Sequence, residues 1–218
     1  MDTNVHGGTL NRVASPSGVT DDPTTQRALY DLARNADRNR IIADGSKSLH
    51  RILQAVNVRT VQLRAGMEYR LAADLVLTQA VEIVGPRSAR IVPWKGLTPR
   101  IYVPATCTGR VTIRGVTLMV PVEIEATTDL VDCEIGGAAS VLTGGAQVEI
   151  VGAGASGSSV VGCVGSAAET LGVYEHGGAM DCRILGNDFR ACATGFKVTI
   201  ADTAHLGPDS NAGVVVLV

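Results

Sequence analysis

Val81-Glu82-Ile83-Val84-Gly85, Val111-Thr112-Ile113-Arg114-Gly115 and Val148-Glu149-Ile150-Val151-Gly152 share one grammar: apolar, polar, apolar, any residue, glycine. Apolar side chains recurring every second position mark a strand that buries one face, and the closing glycine supplies a backbone free to turn. The first two segments start 30 residues apart and the next pair 37, with further alternating strands between them. A second grammar turns a cysteine inward: Asp132-Cys133-Glu134-Ile135-Gly136, Gly162-Cys163-Val164-Gly165 and Asp181-Cys182-Arg183-Ile184-Leu185-Gly186. Cys133 and Cys163 are 30 residues apart, and Cys163 and Cys182 are 19 apart.

Self-similarity at such periods marks a solenoid or a propeller. Helical solenoids are excluded because no helical period recurs after residue 57. Propeller blades carry aromatic signatures, and aromatics are only 3% of this chain. A fixed strand grammar with turns of variable length predicts an all-β fold, a short right-handed parallel β-helix spanning residues 58–218. A β-sandwich is the other architecture that alternating strands with turn signals describe.

Upstream of the strands, residues 1–22 read as an extended arm. Gly7-Gly8, Ser15-Pro16-Ser17-Gly18 and Asp21-Asp22 are turn and loop formers without periodicity. Residues 23–57 read as a helical segment and cap. Pro23 suits a first helical turn, and Leu29, Leu32, Ala33 and Ala36 recur at helical spacing amid dense charge. A second, short helix follows Asp44-Gly45-Ser46, with Leu49, Ile52, Leu53 and Val56 as its apolar stripe. Such a cap has a physical purpose: the first coil of a solenoid exposes strand edges and core side chains that need cover.

Composition narrows the function. Apolar residues make up 45% of 218, so a core poor in aromatics must be built from Val, Ile, Leu and Ala. Nineteen basic and 21 acidic residues leave a net charge of −2, which is no footprint for nucleic acid or an anionic membrane. Residues 1–20 hold no basic stretch followed by an apolar one, so no secretory signal is expected. The apolar region 138–168 is interrupted by Gln147, Glu149 and many glycines and cannot span a bilayer as a helix. The five cysteines lack CxxC spacing and read as reduced and buried, with Cys163 and Cys182 the best placed to pair if any do.

The segment Ser46–Gly85, SLHRILQAVNVRTVQLRAGMEYRLAADLVLTQAVEIVG, resembles the entry to the pectate-lyase-like superfamily of parallel β-helices. It has the capping helix, a strand running into L-x-A-G-x-x-Y, and paired strands closing on V-x-I-V-G. Cys182–Val198, CRILGNDFRACATGFKV, is similar to the I-x-G-N-x-F…C…G turns of that superfamily. The resemblance covers roughly residues 44–200. It implies that Asn187 faces inward to bond backbone groups and that Phe189 packs in the core. Because the superfamily holds lyases, hydrolases, tailspikes and non-enzymatic virion proteins, it implies a fold and no reaction.

Several constellations could carry chemistry. Stacking the cysteine strands makes Cys133, Cys163 and Cys182 an inward column and Asp132, Gly162 and Asp181 an outward one. With strands ~4.8 Å apart, Asp132 and Asp181 would lie about 9–10 Å apart across a notch at Gly162, close to the spacing of an inverting glycosidase pair. Glu123, Glu125 and Asp129 form the only acidic cluster on a strand-and-turn segment, too few for a hard-cation site. Tyr174-Glu175-His176-Gly177-Gly178 reads as a polar turn whose Glu/His pair could do acid–base work. His6, His50 and His205 are scattered. No cofactor and no metal site is expected. At the C-terminal end, Val214, Val215, Val216, Leu217 and Val218 form an uncharged β-prone run that calls for cover by a neighbouring subunit.

These features lead to the expectation of a non-enzymatic structural virion protein of a tailed bacteriophage, of the capsid decoration or cement type. Its partners would be two further copies in a homotrimer and the major capsid protein or another virion protein, without nucleic acid or membrane. It would assemble in the host cytoplasm and reside on the capsid surface. The alternative is a polysaccharide lyase, glycoside hydrolase or tailspike-like receptor-binding protein working through Asp132 and Asp181.

Overall fold

The computed structural model describes residues 40–43, 49–53, 58–137, 140–166, 171–198, 211, 213 and 215–217. The chain divides into a unit of residues 1–40 and one of 41–218, and all but one of the described residues belong to the second. The expected arm over residues 1–22 and the helix expected from Pro23 lie outside the described residues.

The described fold is mostly β, with three parallel sheets and very little helix. After β1 (Arg40–Ala43) and helix α1 (Leu49–Leu53), the chain visits three sheets in rotation. Sheet A is built from β2 (Thr60–Leu63), β5 (Gln79–Val84), β8 (Thr108–Arg114), β11 (Thr128–Val131), β14 (Ser159–Val161) and β17 (Arg183–Leu185), with β1 beside β2. Sheet B holds β3 (Glu68–Leu71), β6 (Arg90–Pro93), β9 (Thr117–Leu118), β12 (Glu134–Ile135) and β15 (Val164–Gly165). Sheet C holds β4 (Leu75–Val76), β7 (Ile101–Val103), β10 (Val122–Ile124), β13 (Ala146–Val151), β16 (Leu171–His176), β18 (Thr194–Val198) and β19 (Val215–Leu217). From β2 onward every strand pair is parallel, and strands inside a sheet pair with those of the circuits before and after them. A return to the same sheet takes as few as 17 residues (Thr117 to Glu134) or as many as 30 (Asp129 to Ser159).

The period of two explains why these segments are strands and where the core lies. Along sheet A the inward column runs Val61, Ile83, Ile113, Leu130, Val160, Ile184. Along sheet C it runs Leu75, Ile101, Val122, Val148, Val173, Phe196. These residues join Tyr69, Ile91, Leu118 and Ile135 of sheet B in one buried cluster. Each such side chain contributes about 1.5–3 kcal/mol on burial. The two phenylalanines enter late: Phe189 and Phe196 meet edge to face, centroids 5.2 Å apart. Room for them comes from Gly165 and Gly172, where a Cβ would lie 2.3 and 2.5 Å from the Phe189 ring.

Three expectations are corrected. Residues 40–43 fall in the segment expected to be helical, yet form β1, because β-branched Ile41-Ile42 suits a strand and the β2 edge is there to receive it. Val148-Glu149-Ile150 is not the counterpart of Val111-Thr112-Ile113: it belongs to sheet C and pairs with Val122-Glu123-Ile124. The three cysteine strands are not one column, as the next section shows. The short helix expected after residue 46 is observed as α1, with Leu49 and Ile52 buried. Tyr69 of the L-x-A-G-x-x-Y segment buries its ring, donates its hydroxyl proton to Ala43 O and accepts from Arg64 N–H at 2.9 Å.

Candidate functional site

Asp132 and Asp181 are not neighbours in a column. Val131 pairs with Val161 and Glu134 with Val164, which sets Asp132 beside Gly162 and Cys133 beside Cys163. The next residue in the Cys163 position is Asn187, since Asp188 N–H donates to Cys163 O and Val161 pairs with Leu185. Ser159 pairs with Arg183, so Cys182 lies beside Ser158 and Asp181 beside Gly157, at the opposite end of the sheet A strands. Five strand positions separate the two levels, about 16 Å, well beyond the roughly 6.5–9.5 Å of a water-bridged carboxylate pair. Both aspartates have positive φ, 54° and 57°. They occupy corner positions that glycine fills on neighbouring circuits (Gly115, Gly162 and Gly186 for Asp132), a backbone region that Asp tolerates. The notch expected at Gly162 is occupied: a Cβ there would lie 2.4 Å from Asp132 Oδ1.

The sequence signal missed the register because Asp-Cys recurs for two different reasons. The true corner column is Cys133, Cys163, Asn187, Asn211. Each donates to the carbonyl of the sheet A core residue on the preceding circuit. Cys133 Sγ–H points to Ile113 O (3.4 Å) and Cys163 Sγ–H to Leu130 O (3.6 Å), while Asn187 Nδ2 reaches Val160 O (2.8 Å) and Asn211 Nδ2 reaches Ile184 O (2.6 Å). Asn187 Oδ1 also accepts from Cys163 N–H at 2.8 Å, and Asn211 Oδ1 from Asn187 N–H at 3.1 Å. The thiols are weak substitutes for carboxamides. Contact with the Cys133 sulfur, and then burial, push the Cys163 thiol up, so it holds its proton. No disulfide joins any of the five cysteines, Cys163 and Cys182 included.

The acidic segment is neutralised from within the chain. Glu123 pairs with Arg100, whose guanidinium also holds Asp74 (Nε to Oδ2, 3.1 Å) and lies 4.7 Å over the Tyr102 ring. Glu125 accepts from Tyr102 OH at 2.7 Å and from Ala105 N–H at 3.2 Å. That bond to the Glu125 carboxylate, followed by burial, raises the Tyr102 phenol. Asp129 is held by Arg110 and by Ser159 Oγ–H at 2.6 Å. Among the described residues no three His, Cys, Asp or Glu side chains are grouped to hold a metal ion, and no helix is long and apolar enough to cross a membrane.

Tyr174, Glu175 and His176 are on strand β16, not in a turn. Glu175 turns inward beside Ile150. His176 faces outward, and its Nε2 lies 2.7 Å from Oε1 of Glu149, a carboxylate only 4% exposed. The His176 ring stacks on Tyr174 at 4.1 Å, and Lys197 Nζ sits 4.5 Å from the centroid of the same Tyr174 ring. Glu149 Oε2 accepts from Thr143 N–H at 3.2 Å, and Leu142, Ala146, Leu171 and Tyr174 form a small separate apolar cluster. A His oriented by a carboxylate has the makings of an acid–base dyad, but here Glu149 Oε1 links His176 of the neighbouring strand while Oε2 fastens the 140–145 loop to sheet C. The pairing of residues 27 apart was invisible without the register.

Exposed apolar side chains gather at sheet edges and one corner. Trp94, Leu97 and Val141 are exposed near Pro93, Pro99, Met119 and Pro121. Sheet C ends in β4 on one side and β19 on the other. In β19, Val215, Val216 and Leu217 are 46%, 39% and 52% exposed. They pair with Phe196, Lys197 and Val198. Val214 and Val218 of the expected interface lie outside the described residues. The chain matches no family model, no curated protein and no solved structure.

Proposed function

We propose that this chain is a non-enzymatic structural protein of the capsid decoration or cement type, working as a homotrimer on the virion of a tailed bacteriophage. The fold we propose for it is a short right-handed parallel β-helix akin to the pectate-lyase-like superfamily. Rotation of the chain through three parallel sheets supports that fold, and the near-universal right-handedness of parallel crossovers supports its hand. The observation that carries the assembly role is strand β19, which presents three exposed aliphatic side chains at an edge of a seven-stranded sheet. Such an edge is a template for another chain. The pairing of six carboxylates within the chain also supports it: Glu68, Asp74, Glu123, Asp129, Glu149 and Asp188 are each held by a cation or histidine. The spacing of Asp132 and Asp181 gives the polysaccharide-degrading alternative no support.

Light scattering of the purified protein tests the proposal. The expected mass is three times the 22.6 kDa chain. A stable monomer at all concentrations overturns the assembly role. Depolymerisation of capsular polysaccharide that disappears in the Asp132→Asn/Asp181→Asn double variant overturns the non-enzymatic part.

A further inference from the structure

We infer that the edge of sheet C at β4 is a strand-accepting groove, and that its occupant is β19 of a second copy of this chain. This rests on the assembly reading above and specifies its geometry. A cavity of about 430 Å³ lies along the segment from Asp74 to Val81 and is closed on its far side by His50 and Leu53 of α1. Its apolar lining comes from Leu53, Leu75, Leu77 and Val81. His50 ties α1 down by a 2.9 Å contact from Nε2 to Asp74 O, so the groove has one wall of helix and one of strand edge. Such a volume is in the range of sites that take a small ligand or a few side chains.

Register selects the occupant. In sheet C one outward column runs Val76, Tyr102, Glu123, Glu149, Tyr174, Lys197, Val216. The positions flanking it align Leu75 with Val215 at one end of the series and Leu77 with Leu217 at the other. Extending the sheet by one parallel strand from another copy therefore opposes Val215 to Leu75, Val216 to Val76 and Leu217 to Leu77. All three pairs are aliphatic. Val76 and Val216 are 46% and 39% exposed, so this contact would cover apolar surface on both partners. The middle of the same column is charged or aromatic, and only its two ends match each other. The contact is heterologous, since a donor edge meets a different acceptor edge. It yields a ring where the rotation closes and an open polymer where it does not.

Two charge variants test it, each placed on an exposed side chain. Val76→Glu and Val216→Lys are each expected to remain folded, with an unchanged thermal transition, and to become monomeric by light scattering. Mixed one to one, they are expected to associate again, because the unaltered β19 of Val76→Glu meets the unaltered β4 of Val216→Lys. The lysine introduced on β19 of one copy and the glutamate introduced on β4 of the other also face each other, a second contact that weakens in high salt. If the parent protein associates and Val76→Glu associates equally well while Val216→Lys does not, β19 pairs with itself, and the inference fails with the assembly reading intact. If the parent protein is monomeric throughout, the assembly reading fails and the inference with it. Monomeric single variants whose mixture stays monomeric also overturn the inference.

Discussion

Asn187→Ala is the substitution that most directly tests the corner column. Asn187 is buried and its carboxamide makes three contacts: it accepts from Cys163 N–H, donates to Val160 O, and donates to Asn211 Oδ1 at 3.0 Å. Alanine removes all three and leaves a backbone donor and a backbone acceptor buried without their partner. Each such orphan costs about 1–3 kcal/mol, so the two total about 2–6 kcal/mol. For a chain of this size 1 kcal/mol lowers Tm by roughly 2–4 °C, which places the expected drop at about 4–24 °C. Guanidinium denaturation followed by far-UV circular dichroism gives the free energy, with an unchanged slope showing that the native fold persists. Cys163→Ala, which removes weak thiol contacts to Leu130 O and Val161 O, both at 3.6 Å, and a little volume, should lose about 1–2 kcal/mol. If Asn187→Ala loses less than about 1 kcal/mol, or no more than Cys163→Ala, the carboxamide is not what holds adjacent circuits together at this corner.

Removing the imidazole at His176 leaves Oε1 of the buried Glu149 carboxylate without the partner it has there, with Oε2 still accepting from Thr143 N–H. Because the histidine side chain is 23% exposed, the full cost of a broken buried pair is reduced to about 1–3 kcal/mol. His176→Ala should also speed proteolytic cutting within residues 140–145, and His176→Gln should restore resistance; equal cutting in all three proteins would refute the clasp. Arg190 holds the Asp188 carboxyl down at about 2. The interaction is therefore present above the ordinary carboxylate range and is lost as pH falls toward 2. Arg190→Ala should raise the Asp188 titration toward ordinary values in a carboxyl-carbon NMR experiment, the bond from the residue 190 backbone N–H remaining, and an unmoved midpoint would show that another group is responsible.

Alternation in the sequence identified strands at Val81–Gly85, Val111–Gly115 and Val148–Gly152 and their inward residues, because burial on one face leaves a period of two. It could not say which strands are neighbours. V-E-I occurs at Val81, Val122 and Val148, and only the last two pair. Return lengths between 17 and 30 residues defeat any fixed period. The candidate carboxylate pair failed for that reason: Asp132 and Asp181 share a local conformation, the left-handed corner, without sharing a level. The Glu149–His176 contact depends wholly on register, and so left no local trace. Asn187 and Phe189 were legible through their resemblance to a known turn, whereas Asn211, which repeats the Asn187 geometry 24 residues later, carries no such surroundings.

The unequal circuits have an engineering consequence. Apart from a bulge between Gln79 and Val81, strand registers hold from circuit to circuit, so most of the difference in length is taken up at the corners between strands. Loop closure grows only logarithmically more costly with length. The protein can therefore act as a graduated mount, on which foreign peptides of different sizes inserted at one corner would be displayed at a fixed height without disturbing the rungs above and below.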